Sequence, residues 1–307
     1  MSDSARPSPL GVLIATANLR GIALMIVARV VFAVSDTFTK LASETLPGTE
    51  VVSVRNAVAV PIVAAMAWRL GGLRHLSAVR DKLVLSRSVL DGIGTLAFVA
   101  ALPHVMLGQS TVILLTVPII LVALSALVYR EEVGWRRWTA IVVGFIGVFM
   151  VAGPLGGTPN SYLLITQAAA VAWAFRDLLT WRLVGHIPSV TVSLIATAVV
   201  ALVGLPGALT GDWRMFSGRE ALYLLIAGSF VAAANFLYIT ALRTGAISVV
   251  APFRYTGALF AMTAGFIVWG EVPDMWGMVG TVFIIGSGLY TFYRELEVAK
   301  MRRKSSQ

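Results

Sequence analysis

The stretch YREEVGWRRWTAIVVGFIGVFMVAG, residues 129–153, decides the fold, because a knot of charges is followed at once by an almost unbroken apolar run. Further on, residues 269–290 read WGEVPDMWGMVGTVFIIGSGLY, with the same Glu-Val, a Trp soon after and the same Gly-rich apolar run. The pair Arg136 and Arg137 of the first copy has no counterpart in the second, which carries Asp274 instead. One phrase occurs twice, once basic and once acidic, and the difference calls for a physical cause.

Composition supplies the setting. Hydrophobic residues make up 58% of the 307 and charged residues 13%, with a mean hydropathy of +0.85, whereas an ordinary soluble domain is about 25% charged. The chain reads as an all-α integral membrane protein. It has no Cys, which excludes a disulfide framework, thiolate chemistry and Cys-ligated metal. The three histidines, His75, His104 and His186, are scattered near span ends and form no metal motif, so neither a metal nor a cofactor is expected. No Gly-rich phosphate loop precedes a Lys-Ser/Thr, and no nucleophile–base motif marks an intramembrane hydrolase. An enzyme is not expected. The formal charge of +9 does not point to nucleic acid, because the basic residues sit in short gaps between apolar runs rather than on one solvated face.

Spans of roughly 20 apolar residues cross a bilayer as helices. Ten are expected, at 21–41, 50–68, 83–102, 106–129, 136–153, 161–181, 188–209, 220–242, 246–269 and 275–293. The apolar GVLIATANL before Arg20 is too short to span and lacks a small-residue cleavage site. Residues 1–20 are therefore read as a cytoplasmic segment and 294–307 as a basic cytoplasmic tail. Cytoplasmic loops collect Lys and Arg. With both termini inside, only Lys40, Arg214 and Arg219 fall in outer segments, while Arg29, Arg55 and Arg254 lie within spans. This predicts a multi-pass protein of the inner (plasma) membrane.

The repeated phrase follows from this topology. Laying Glu132-Val133 on Glu271-Val272 puts Gly147 on Gly286; one residue of slippage lays Ala101-Leu102 on Ala241-Leu242 and Phe98 on Tyr238. Five helices separate the copies, and an odd number inverts the second relative to the membrane. The turn that keeps Arg136 and Arg137 then faces the cytoplasm, and the turn that carries Asp274 faces out, as the positive-inside bias requires. The expected halves are 21–154 and 158–293. Inverted repeats are the usual build of secondary transporters, with a site near the midplane at the repeat interface.

The two segments GQSTVILLTVPIILVALSALVYREEVGWRRWTAIVVGFIGV and GAISVVAPFRYTGALFAMTAGFIVWGEVPDMWGMVGTVFIIGSGL resemble the paired domains of the drug/metabolite transporter superfamily, EamA type. The resemblance covers about Ile22 to Tyr290. It implies ten helices, export or exchange of small metabolites, and a central cavity lined mainly by the third, fourth, eighth and ninth helices. Within that family the chain is most similar to bacterial exporters of aromatic and other neutral amino acids, with carriers of S-adenosylmethionine or purine-like metabolites as the alternative. A channel-like facilitator is the reading of another class.

Candidate substrate-binding residues follow from the chemistry of the spans. A charge at the bilayer centre costs about 2.5–3.5 kcal/mol on insertion scales, so such groups face the bundle interior or water. Arg254, in APFRYTGALF, either clamps a substrate carboxylate with its fork of donors or snorkels to the headgroups. Asp91 has Arg87 one turn before it as a structural partner. Asp36 shares a face with Arg29 and has Lys40 at i+4; it is the candidate for ion coupling beside a purely structural pairing. Arg55 is read as snorkelling, and Asn56 as a bond between helices. Phe98 and Tyr238, at matching repeat positions with Thr95 and Asn235 one turn before each, are expected to form two facing polar-aromatic patches, or else to pack. Trp173 alone among the tryptophans lies well inside a span. Tyr255 points about 100° away from Arg254.

Two features read as mechanics. Pro118 and Pro252 within spans, like Pro61, each remove a backbone bond and permit a kink or hinge. Gly144 and Gly147, echoed by Gly286 and Gly288, make thin helix faces for close packing, within one chain or between two copies in a homodimer. The expected partners are a small-molecule substrate and the lipid bilayer.

Overall fold

Away from water every backbone N–H and C=O must be satisfied within its own segment, so long apolar runs become helices. A computed structural model describes residues 9–129, 135–152, 160–181, 187–244 and 246–305, and among them no strand occurs. The first half holds α1 (Pro9–Ser43), α2 (Gly48–Arg69), α3 (Lys82–Ala101), α4 (Leu107–Leu114), α5 (Val117–Tyr129) and α6 (Trp135–Val151). The second holds α7 (Ser161–Trp181), α8 (Ser189–Val203), α9 (Leu205–Leu209), α10 (Gly218–Thr244), α11 (Ile247–Val250), α12 (Thr256–Trp269) and α13 (Met275–Ser305). Among the described residues eight stretches are long and apolar enough to cross a membrane, from Thr16–Ser43 to Met275–Arg294. The charged turn at 130–134, on which the opening phrase turns, lies outside the described residues.

Local chemistry sets the helix ends. Pro47, at φ −58°, precedes α2, and Gly71 ends it at φ +73°, a left-handed position that a side chain disfavours. A 3-10 turn, Gly72–Arg80, follows. Asp81 then caps α3, its carboxylate accepting the Leu83 N–H at 2.8 Å. Gly270, at φ +66°, closes α12 in the same way. The segment expected to stand apart before residue 21 is helical from Pro9 and continuous with the first span, because nothing between Pro9 and Arg20 breaks a helix.

Three spans expected to be continuous are broken: that at 188–209 divides at Gly204 into α8 and α9, and two others divide beside a proline. Between α4 and α5, the Leu115 and Thr116 N–H groups donate to Val112 and Ile113, the tighter 3-10 pattern, and Pro118 has no N–H for the Leu114 carbonyl. Between α11 and α12 the chain is 3-10 over Ala251–Tyr255, with Pro252 at its start. Under the alignment of Glu132 with Glu271, Leu115 falls on Arg254. Both breaks therefore occupy the same place in the repeated phrase.

In lipid, helices associate through close packing rather than through expulsion of water. α1 lies against α10 and α12, α7 against α3, α4 and α5, and α2 against α8 and α10; α3 touches α8, α4 touches α12, and α6 lies along α13. The α6–α13 contact uses the thin face expected on α6, but on α13 it is Gly280 that meets it, in place of Gly286 and Gly288. A Cβ added at Gly147 would come 2.8 Å from the Gly280 carbonyl, and one at Gly280 would come 2.6 Å from the Gly147 carbonyl. Gly144 packs likewise on Ser287, whereas Gly286 has open space beside it. One buried cluster, with Ala42, Val51, Phe98, Leu107, Leu224 and Ala261, gathers one end of the bundle. A second, with Ile113, Val148, Tyr255, Ala258 and Ile284, joins α4, α6, α12 and α13.

Candidate functional site

The charges that composition places inside spans are held by helices other than the ones sequence neighbours suggest. Asp91 does not pair with Arg87. Arg176 of α7 reaches across to it, Nη1 to Oδ1 at 2.7 Å, and also holds Asp177 at 2.8 Å. Arg87 instead donates to the Thr180 hydroxyl at 2.9 Å. The cause is the α3–α7 interface: a facing helix offers these long side chains shorter reach than the next turn of their own. Asp36 does not hold Lys40 either. Lys40 forms an ion pair with Glu271 beyond α12 and donates to the Val105 carbonyl at 2.6 Å. Arg55 does not snorkel; it is 5% exposed and donates to Thr39 at 3.2 Å, with Asp36 and Asp91 within electrostatic reach. Asn56 bonds within its own helix, to the Val52 carbonyl at 2.8 Å.

Arg254 sits in the 3-10 break, where the ninth apolar run is not α-helical. Its Nε is buried without a hydrogen-bond partner. Tyr238 of α10, Tyr255, and the Asp177 and Arg176 pair of α7 lie within its electrostatic reach. By exposure the residue as a whole is half-buried. Tyr255 turns the other way, is 7% exposed and packs its hydroxyl end on Gly288 of α13.

The aromatic residues separate into two groups. Phe98 is 3% exposed and lies 5.8 Å from the Trp173 ring at 48°. Trp173 rests on Gly94, donates Nε1 to the Asp91 carbonyl at 3.4 Å and carries the Arg176 guanidinium 5.6 Å above its ring. Asp91, Trp173 and Arg176 thus form one polar-aromatic group, with Thr95 buried beside it. Tyr238 packs elsewhere, against Met25, Ala241 and Val250, and Asn235 is exposed. Phe98 clusters with Ala42 of α1 and Tyr238 with Met25 of the same helix. At 1.5 Å per residue those anchor points are about 25 Å apart. The two expected patches therefore do not face each other: they pack at well-separated points along α1.

Sequence reasoning missed a lock at the end of the bundle where α1 terminates. Besides Lys40, the Glu271 carboxylate accepts the Leu107 N–H at the start of α4, at 2.7 Å. Trp269 lies under the Lys40 ammonium at 4.6 Å and donates to Glu44 at 2.5 Å. Three parts of the chain close on one buried ion pair. The signal was present in the Glu-Val of the repeated phrase, but its partner is far away in sequence.

With the geometry in place, comparison with known proteins adds the family. The model of the EamA-like transporter family matches this chain twice, over residues 19–153 and 160–293. The chain belongs to the EamA-like transporter family. It is 31% identical to a riboflavin transporter of Vibrio cholerae over 93% of this chain and 96% of that protein. It is 25% identical to an S-adenosylmethionine uptake transporter of Rickettsia prowazekii over 94% and 97%. It is 25% identical to the pseudopaline exporter CntI of Pseudomonas aeruginosa over 86% of this chain and 93% of that protein. A crystal structure superposes with a TM-score of 0.61 over 92% of this chain and 99% of that one, at 16% identity, which speaks to the fold alone. This EamA protein is a multi-pass inner-membrane transporter of small molecules. None of these three relatives is named for an amino acid, where the resemblance in sequence had pointed.

Proposed function

We propose that the protein is a secondary transporter that carries a small, carboxylate-bearing metabolite with a ring system by alternating access. Its ten spans form two inverted five-helix repeats with both termini cytoplasmic. Two observations support the repeat. The shorter α6 and the broken α11–α12 run complete ten spans beside the eight long stretches. The packing also survives exchange of the halves: α1 on α10 answers α7 on α3, and α1 on α12 answers α7 on α5.

The observation that carries the substrate reading is Arg254, a fixed cation placed at a helix break with its Nε unpartnered. A planar fork of donors matches a carboxylate, and nearby rings supply stacking surface. An aromatic amino acid satisfies both requirements, and so does S-adenosylmethionine, the substrate named for one set of relatives. Riboflavin is the second reading, favoured by the 31% identity to its transporter; it offers a large ring system and no carboxylate. Proteoliposome uptake of labelled tryptophan, S-adenosylmethionine and riboflavin, each against the other two as competitors, separates these. Saturable, competable flux is expected, and rates linear in concentration point to a pore instead. Losing one partner of a buried charged hydrogen bond costs about 2–5 kcal/mol. Arg254→Ala is therefore expected to abolish transport of the carboxylate substrate, and Arg254→Lys to leave a small remainder. Wild-type flux through Arg254→Ala overturns the carboxylate reading.

A further inference from the structure

Arg29 is a second half-buried cation whose buried Nε has no hydrogen-bond partner. It stands on α1 and resembles Arg254 in this. Arg55 and Arg87 also bury one nitrogen in this way, but each bonds a hydroxyl through another. Among the described residues neither Arg29 nor Arg254 makes a hydrogen bond or an ion pair. The Arg29 guanidinium lies 5.2 Å from the Phe32 ring and against the first turn of α12, where a Cβ added at Gly257 would come 2.5 Å from its Nε. The charged and titratable groups within its reach are Arg254, Tyr238 and Asp36. Gly257 follows closely on the 3-10 turn Ala251–Tyr255 that holds Arg254, and α1 packs along that turn, so the two cations come from adjoining segments of different helices, with Tyr238 acting electrostatically on both.

We infer that Arg29 and Arg254 together form the anion subsite, with the substrate's anionic group bridging the two guanidinium groups and Tyr238 at its side. The inference rests on the carboxylate reading of Arg254 and extends it to a residue on α1. Like charges in a medium of low dielectric repel strongly, and a bound anion converts that repulsion into two charge-assisted bonds. It also ties α1 to the broken helix when substrate is present. Gly257 is part of the same device: the absence of a side chain there lets the guanidinium lie on the helix backbone.

The test uses the full-length protein in detergent and reads thermal stabilisation by benzoate, with benzamide as the neutral twin of the same shape. Wild type is expected to be stabilised by benzoate and not by benzamide. Arg29→Ala and Arg254→Ala should each weaken the apparent benzoate affinity about tenfold or more, and the double variant should be no worse than either single one. Gly257→Ala keeps both arginines but displaces the Arg29 guanidinium, and it should lower the benzoate affinity with the melting temperature of the free protein near wild type. This second variant keeps the test valid if Arg29→Ala folds poorly. If Arg29→Ala and Gly257→Ala bind benzoate as wild type does while Arg254→Ala does not, Arg29 is no part of the site and the reading of Arg254 stands. Lack of any benzoate preference in the wild type overturns both.

Discussion

At the scale of single residues, the charges inside this protein show how little a sequence neighbour decides. Asp36 and Lys40 are one turn apart, yet Lys40 is buried against Glu271, Val105 and Trp269. Removing one partner of a buried pair is costly because it leaves the other charged and unsolvated, by about 3–5 kcal/mol. Lys40→Ala is therefore expected to lower the melting temperature in detergent sharply. Lys40→Met combined with Glu271→Gln should recover part of the loss, since no bare charge remains. Asp36→Asn should have a far smaller effect. If Asp36→Asn costs as much as Lys40→Ala, the pairing along α1 governs instead. The same lesson applies to Asp91, where Arg87 was the legible partner and Arg176 the actual one. Periodicity along one helix names candidates; only the facing helix selects among them.

Among the elements, the two broken helices have the clearest consequence. A proline in a span removes one backbone bond, which made Pro118 and Pro252 visible in advance as kinks. That the breaks would coincide in the repeat was not visible, because the prolines themselves do not align: Pro118 falls after its break and Pro252 near the start of its own. The 3-10 turn at Ala251–Tyr255 sets the direction in which Arg254 leaves the chain. Pro252→Ala restores an N–H and favours regular helix, which rotates Arg254 by about 20° per residue healed. Uptake of the carboxylate substrate should fall severalfold, with expression and melting temperature unchanged or higher. An unchanged rate indicates simple bending without a role in the site.

For the whole molecule the testable property is topology. The native chain has no Cys, so single introduced cysteines report cleanly on sidedness. Ser77, exposed in the 3-10 turn between α2 and α3, should be labelled by a membrane-impermeant maleimide only from the cytoplasm. Met215, fully exposed between α9 and α10, should be labelled only from outside. Labelling of both from one side removes the inverted repeat. On the proposed topology, the lock at Lys40 and Glu271 closes the outer end of the bundle.

The sequence by itself determined the membrane class, the approximate spans, the repeated phrase and its sign of charge, because each depends on composition and spacing along one chain in a slab of known thickness. It also marked Arg254, since a fixed charge in an apolar run is conspicuous anywhere. The tertiary structure decided which charge meets which, and at what depth. Phe98 and Tyr238 occupy matching positions in the repeated phrase, yet they lie in separate clusters, near Ala42 and near Met25 of α1. Side-chain pairing in a bundle is fixed by which helices face each other, and that information is not local to any stretch of the chain.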